Sequence, residues 1–185
     1  QSSGWSYLAN TELEIKEGLS DWANIDYHQI KFKFGLTGIG YGARGVLTEV
    51  PKGTTAVLMR HVFDLNEDFQ TDTLYLQIDY DDGFAAYLNG TRIAEANAPP
   101  GNLNQYSMAT GSHEAGNLEQ FNISEYVLGG PWDHALKVSL WVPFHRVGFP
   151  STSLTICQDG GVVTLQYGLH QLTTTLGVHL SLGAA

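Results

Sequence analysis

The stretch Leu74-Tyr75-Leu76-Gln77-Ile78-Asp79-Tyr80-Asp81-Asp82-Gly83-Phe84-Ala85-Ala86-Tyr87-Leu88-Asn89-Gly90-Thr91-Arg92-Ile93-Ala94 decides the fold. Leu74, Leu76 and Ile78 alternate with Tyr75, Gln77 and Asp79. That period of two turns one face of a strand toward a core and the other toward water or a second layer. Asp82-Gly83 and Asn89-Gly90 are type I′ turn signals, because both central residues of such a turn need positive φ. The stretch therefore predicts a strand, a tight turn, a short aromatic strand, a second turn and a third strand.

The same period recurs outward from it, at residues 13–16, 56–65, 136–142 and 176–182. No window of a dozen residues keeps apolar side chains at helical spacing. A short helix over 124–128, with Ser124 as its cap, is the one helical expectation. Clusters of Gly, Pro and Asn fall between the apolar runs as turn punctuation, and the cluster over 97–105 reads as a loop inside one pattern. The expectation is an all-β fold, a two-sheet antiparallel β-sandwich of jelly-roll type, with residues 1–185 forming one domain.

Composition narrows the function. Nine basic residues against nineteen acidic ones give a net charge of −10 over 185 residues. Such a chain lacks the clustered Lys and Arg that grip nucleic acid or an anionic membrane surface. No apolar run approaches the roughly 18 residues of a membrane-spanning helix. Cys157 is the only cysteine, so an intrachain disulfide, a cysteine zinc cluster and a CxxC redox pair are all excluded. The chain opens on Gln1, and a secreted or cell-surface, mature protein is the expectation.

Gly40-Tyr41-Gly42-Ala43-Arg44-Gly45 fits the dinucleotide pattern G-x-G-x-x-G, but β-prone residues broken by Pro51 and Gly53 follow it where a helix is needed. It reads as a glycine-rich loop. His28, His61, His113, His134, His145, His170 and His179 form no HExxH and no pair at i,i+3 or i,i+4, and no G-x-S-x-G elbow is present. The protein is expected not to be an enzyme.

Asp79, Asp81 and Asp82 crowd one turn, and Glu119 lies in a later acidic region. Carboxylates converging from two loops could supply a structural Ca²⁺ site, since that ion takes six to eight oxygens. The alternative is that Asp81 and Asp82 form the turn, their side chains bonding local backbone amides. Exposed aromatic rings are the physical basis of sugar binding, because a pyranose presents a CH face to the ring. Trp5, Trp22, Trp132, Trp141, Tyr27, Tyr41 and Tyr106 are the candidates. Trp5 and Trp141 sit in strand patterns and belong to the core, which leaves Trp132, between Pro131 and Asp133, and Tyr106 as the surface rings. Asn89-Gly90-Thr91 and Asn122-Ile123-Ser124 match the glycosylation sequon.

Trp5 and Tyr7, the Gly40 to Gly42 loop, Arg60 and Phe63, the hairpin from Asp81 to Gly90, and Glu119 with Phe121 follow one another in a recognisable order. In this the chain resembles the galactose-binding-domain-like modules, related to carbohydrate-binding modules, of bacterial secreted proteins. The resemblance covers residues 5–140, and the hairpin is its specific part. It implies a β-jelly-roll, often with a structural calcium, serving as a noncatalytic carbohydrate-binding or adhesive accessory. Trp132, Tyr106, Tyr41 and Arg60 are then the candidate glycan contacts, and Asp79, Asp81, Asp82 and Glu119 the candidate calcium ligands.

The strand-like stretches 11–16 and 176–182 suggest a further role. A strand outside a domain's own sheet can be donated to a neighbouring copy, and a head-to-tail contact that does not close gives a fibre. Leu13 and Ile15, and Leu176, Val178 and Leu180, are the candidate self-assembly residues, within possible intersubunit strands at 1–17 and 160–185. The leading expectation is thus an extracellular structural subunit that self-associates on a carbohydrate-binding-like sandwich. A monomeric glycan-binding or adhesion module is the alternative. Other copies of the chain and polysaccharide are the expected partners.

Overall fold

The computed structural model describes residues 4–12, 21–24, 32–36, 39–41, 46–64, 74–78, 80, 82–114, 119–126, 135–143, 154–158 and 161–165. Twelve strands run through them: β1 Gly4–Ala9, β2 Lys33–Leu36, β3 Ile39–Gly40, β4 Thr48–Glu49, β5 Ala56–Asp64, β6 Leu74–Ile78, β7 Phe84–Leu88, β8 Thr91–Ala96, β9 Glu119–Asn122, β10 Ala135–Pro143, β11 Leu154–Gln158 and β12 Gly161–Leu165. One sheet has the order β2-β1-β5-β10-β7-β8 and a second the order β12-β11-β6-β9, while β3 and β4 form a small parallel pair. All pairings within the two large sheets are antiparallel.

The chain changes sheet from β5 to β6, from β6 to β7, from β8 to β9, from β9 to β10 and from β10 to β11, the alternation of a jelly-roll sandwich. The core lies between the sheets. Tyr7, Met59, Leu140 and Ala86 stand side by side across four strands, and Leu76 and Ile78 meet this face from the second sheet. Trp5 is fully buried in the same core and Trp141 in the layer on the sheet's other face, as their strand patterns require.

The strand β7 is buried along its whole length. Its sequence, Phe84-Ala85-Ala86-Tyr87-Leu88, has no polar alternate because neither face meets water. Ala86 faces the inter-sheet core, and Ala85 and Tyr87 face a second apolar layer with Trp22, Leu58, Leu103 and Trp141. The second of the two expected turns is confirmed: Asn89 and Gly90 take φ of 49° and 87° and join β7 to β8. Lys137 N–H also donates to Asn89 Oδ1, and Asn89 N–H to the Lys137 carbonyl, so the turn is sewn to β10 as well.

The first expected turn is different. Asp82 has φ of 62°, yet β6 and β7 lie in different sheets, so Asp82-Gly83 is a corner at which the chain switches sheets rather than a hairpin. Gly83 is required there, because a Cβ would sit 2.8 Å from the Ala96 carbonyl oxygen. The segment expected as a helix is a 3-10 turn over Ser124–Tyr126, within the described part of 124–128. Asn122 Oδ1 accepts from Ser124 N–H at its start. Within the possible intersubunit strands at 1–17 and 160–185, Gly4–Ala9 and Gly161–Leu165 instead pair inside this chain's own sheets, as β1 with β2 and β5 and as β12 with β11, while the expected strands at 13–16 and 176–182 lie outside the described residues.

Candidate functional site

A long loop joins β8 to β9, and its described part, residues 97–114, is tied to the sandwich at several points. Asn97 Nδ2 donates to the Asp82 carbonyl and the Thr110 N–H to the Asn97 carbonyl. Asp82 N–H donates to the His113 carbonyl. The His113 ring stacks on Tyr80 at 4.1 Å between centroids, and its Nδ1 donates to the Tyr80 carbonyl oxygen. His113 Nε2 stands 3.0 Å from Glu119 Oε1, and the Tyr80 hydroxyl donates to Glu119 Oε2. Burial pushes the Tyr80 hydroxyl up to about 12, and the Glu119 charge and hydrogen bond add to it.

Midway along the loop, Asn104 closes a turn on itself. Its Oδ1 accepts from Tyr106 N–H, its carbonyl accepts from Ser107 N–H, and its own N–H donates to Ser107 Oγ. That turn holds Tyr106 46% exposed, with Met108 exposed two residues on. Leu103 is turned the other way, buried against the sheet, and its carbonyl accepts from Trp22 Nε1 at 2.7 Å.

The candidate glycan contacts separate. Tyr106 is on the surface, as expected, and Tyr41 is half-buried against the core. Arg60 is buried, and one of its Nη atoms donates to the Asn24 carbonyl, so it is packed inside the fold rather than displayed. Trp22 is buried too, crossing the Tyr87 ring edge-to-face at 5.4 Å. Trp132 and Tyr27 lie outside the described residues.

The carboxylates fit a cation only in part. Asp82 is buried, and its Oδ2 has no hydrogen-bond partner among the described residues. Glu119 already has both oxygens engaged, by His113 and Tyr80. Asp79 and Asp81 lie outside the described residues, and among those described no three metal-ligating side chains converge. Leu13, Ile15, Leu176, Val178 and Leu180 are likewise outside them. Of the two sequon residues, Asn89 is held in its turn by β10, whereas Asn122 is exposed and accepts from Ser124 N–H and Oγ.

One feature had no signal in the motifs. On the outer face of the six-stranded sheet, Phe34 of β2 is 74% exposed, with Leu36 and Val62 also exposed beside it. The available clue was the alternation in Lys31-Phe32-Lys33-Phe34-Gly35, which puts Phe32 and Phe34 on one face of a strand.

No family model and no curated protein matches the chain. Among solved structures it is similar to a PA14 sugar-binding domain from an RTX adhesin, at 19% identity and a TM-score of 0.43, over 92% of this chain and 99% of that one. It is also similar to a β-glucuronidase from Ruminococcus gnavus, at 12% identity and a TM-score of 0.47, over 78% of this chain. A β-glucuronidase from an uncultured Clostridium sp. gives 10% identity and a TM-score of 0.47 over 77%. The chain spans about a fifth of each glucuronidase, 21% in both cases. At TM-scores below 0.5 these likenesses carry no inference about ligand or activity.

Proposed function

We propose that the protein is a noncatalytic, extracellular glycan-binding module in which a β-sandwich holds exposed aromatic rings in place for the CH faces of sugars. The observation that carries this reading is Tyr106. It projects from a loop whose backbone is fixed by Asn97, Asn104 and His113, so little ordering entropy is lost on binding. A structural cation belongs to the same reading. A buried carboxylate oxygen without a partner is costly, and a calcium ion at Asp82, completed by oxygens other than those of Glu119, would offset that cost.

The test is native gel electrophoresis through gels cast with soluble β-glucan, mannan, galactan or xylan. Retardation by at least one polysaccharide, reduced in Tyr106→Ala, is the expected result. Unchanged mobility in all four gels overturns the reading.

A second reading is self-association by strand addition. It is favoured by β2, a four-residue strand at the end of its sheet that carries the exposed Phe34 and Leu36. Filaments that form from the full chain and vanish in Phe34→Lys, which charges the β2 edge and leaves β1 in its sheet, would support it. Dispersed monomers of both chains by electron microscopy would overturn it.

A further inference from the structure

The outer face of the six-stranded sheet carries one row of residues that runs in register across all six strands: Phe34, Ser6, Arg60, Ser139, Tyr87 and Arg92. Trp22, Ala23 and Leu103 cover the β7 and β10 side of this face, and Tyr87 and Ser139 are buried beneath them. At the β2 end nothing among the described residues lies over it. There Phe34, Leu36 and Val62 are exposed by 74%, 44% and 45%. Gly4 stands among them, opposite Leu36 on β1, and a Cβ on Gly4 would overlap the Phe34 ring. The ring therefore leans over bare backbone with its outer side in water. Ser6, beside Phe34, and Lys137, opposite Val62, border the patch.

Size decides what fits here. A stable protein interface needs roughly 800 Å² from each partner, and three side chains around a glycine offer only a fraction of that. One aromatic ring flanked by two aliphatic groups, with a hydroxyl and an ammonium at the border, is instead the scale of a single sugar ring. A pyranose sets its CH face on an apolar ring and turns its hydroxyls toward polar neighbours.

We infer that Phe34, leaning over Gly4 on the open part of the outer sheet face, is a stacking platform for one pyranose unit of a polysaccharide, distinct from the Tyr106 loop. The inference rests on the glycan-binding reading and adds a second contact to it. Phe34 makes the apolar contact, and Leu36 and Val62 fence it.

The experiment compares the wild-type chain with Phe34→Ala, Phe34→Trp and Tyr106→Ala in the polysaccharide-containing gels described above. Sedimentation equilibrium is run on the wild type and Phe34→Ala. The expected result is about tenfold weaker binding for Phe34→Ala, binding kept by Phe34→Trp, and the same monomer mass for both sedimented chains. Retardation of the wild type that Phe34→Ala leaves unchanged overturns the platform while the glycan-binding reading stands. No retardation of the wild type by any polysaccharide overturns both. A wild-type mass above the monomer that Phe34→Ala returns to the monomer makes the patch a contact between copies, and also overturns the platform.

Discussion

The two parts of the outer face of the six-stranded sheet have the same strands beneath them and opposite fates. In the covered part, Leu8, Leu58, Trp141 and Ala85 stand in one transverse row from β1 to β7 and are sealed by Trp22 and Leu103. On the β2 side, Phe34, Leu36 and Val62 are just as apolar and lie in water. Strand composition alone therefore does not set burial on this face. Two segments distant in sequence do so, 21–24 and the loop after β8, joined by the hydrogen bond from Trp22 Nε1 to the Leu103 carbonyl.

Removing the cover gives the largest expected effect. Trp22→Ala deletes a buried indole and its hydrogen bond, and should cost about 3–5 kcal/mol in urea unfolding, with the midpoint falling and the slope kept. A loss under about 1 kcal/mol would mean that the loop seals the face without Trp22. Beneath the cover, Ser139 Oγ is buried with no hydrogen-bond partner among the described residues. Ser139→Ala removes an unsatisfied hydroxyl and should stabilise the chain by about 1 kcal/mol in the same assay. A loss of stability would show that the hydroxyl is satisfied after all, by a buried water.

His61 lies below the open patch. Its Nδ1 donates to the Gly4 carbonyl, and its ring packs on Trp5 at 5.1 Å. Burial pushes this imidazole below its ordinary value of 6.5, against the opposing pull of the Gly4 hydrogen bond. The unfolded chain thus takes up a proton that the folded ring refuses until lower pH. The resulting stability is fully present above about pH 6.5 and is lost as pH falls through the folded value. The difference in melting temperature between the wild type and His61→Gln should shrink or change sign over that acid range. A difference constant from pH 8 to 5 would contradict it. The smallest effect is expected on the open side, where Phe34→Ala should change folding stability by no more than about 0.5 kcal/mol.

Much of the sandwich was legible because periodicity and turn chemistry are local. The alternation of Leu76 and Ile78 with Tyr75 and Gln77 and the Asn89-Gly90 turn can be read within a few residues, and both hold in the structure. Asp82-Gly83 has the same local chemistry, but only Asp82 takes the positive φ, 62°, and whether the next strand pairs back or joins the other sheet depends on partners far along the chain. The site was less legible for the same reason. Trp22 and Arg60 have the residue types of a sugar site, and only tertiary contacts with Leu103, Tyr87 and Asn24 show that they are internal. Phe34 is the converse. Its strand pattern alone suggests a core position, and its exposure follows from a cover that reaches Leu8 and Phe32 and stops short of Phe34.

The most direct test of the account is an NMR titration of protein carrying ¹³C-labelled aromatic side chains. The titrant is the polysaccharide that retards the chain in gels or, if none does, all four in turn. The account predicts that the ring signals of Phe34 and Tyr106 shift with rising ligand while those of Trp22 and Tyr87 stay in place. Shifts confined to Trp22 and Tyr87, or no shift in any ring, would contradict it.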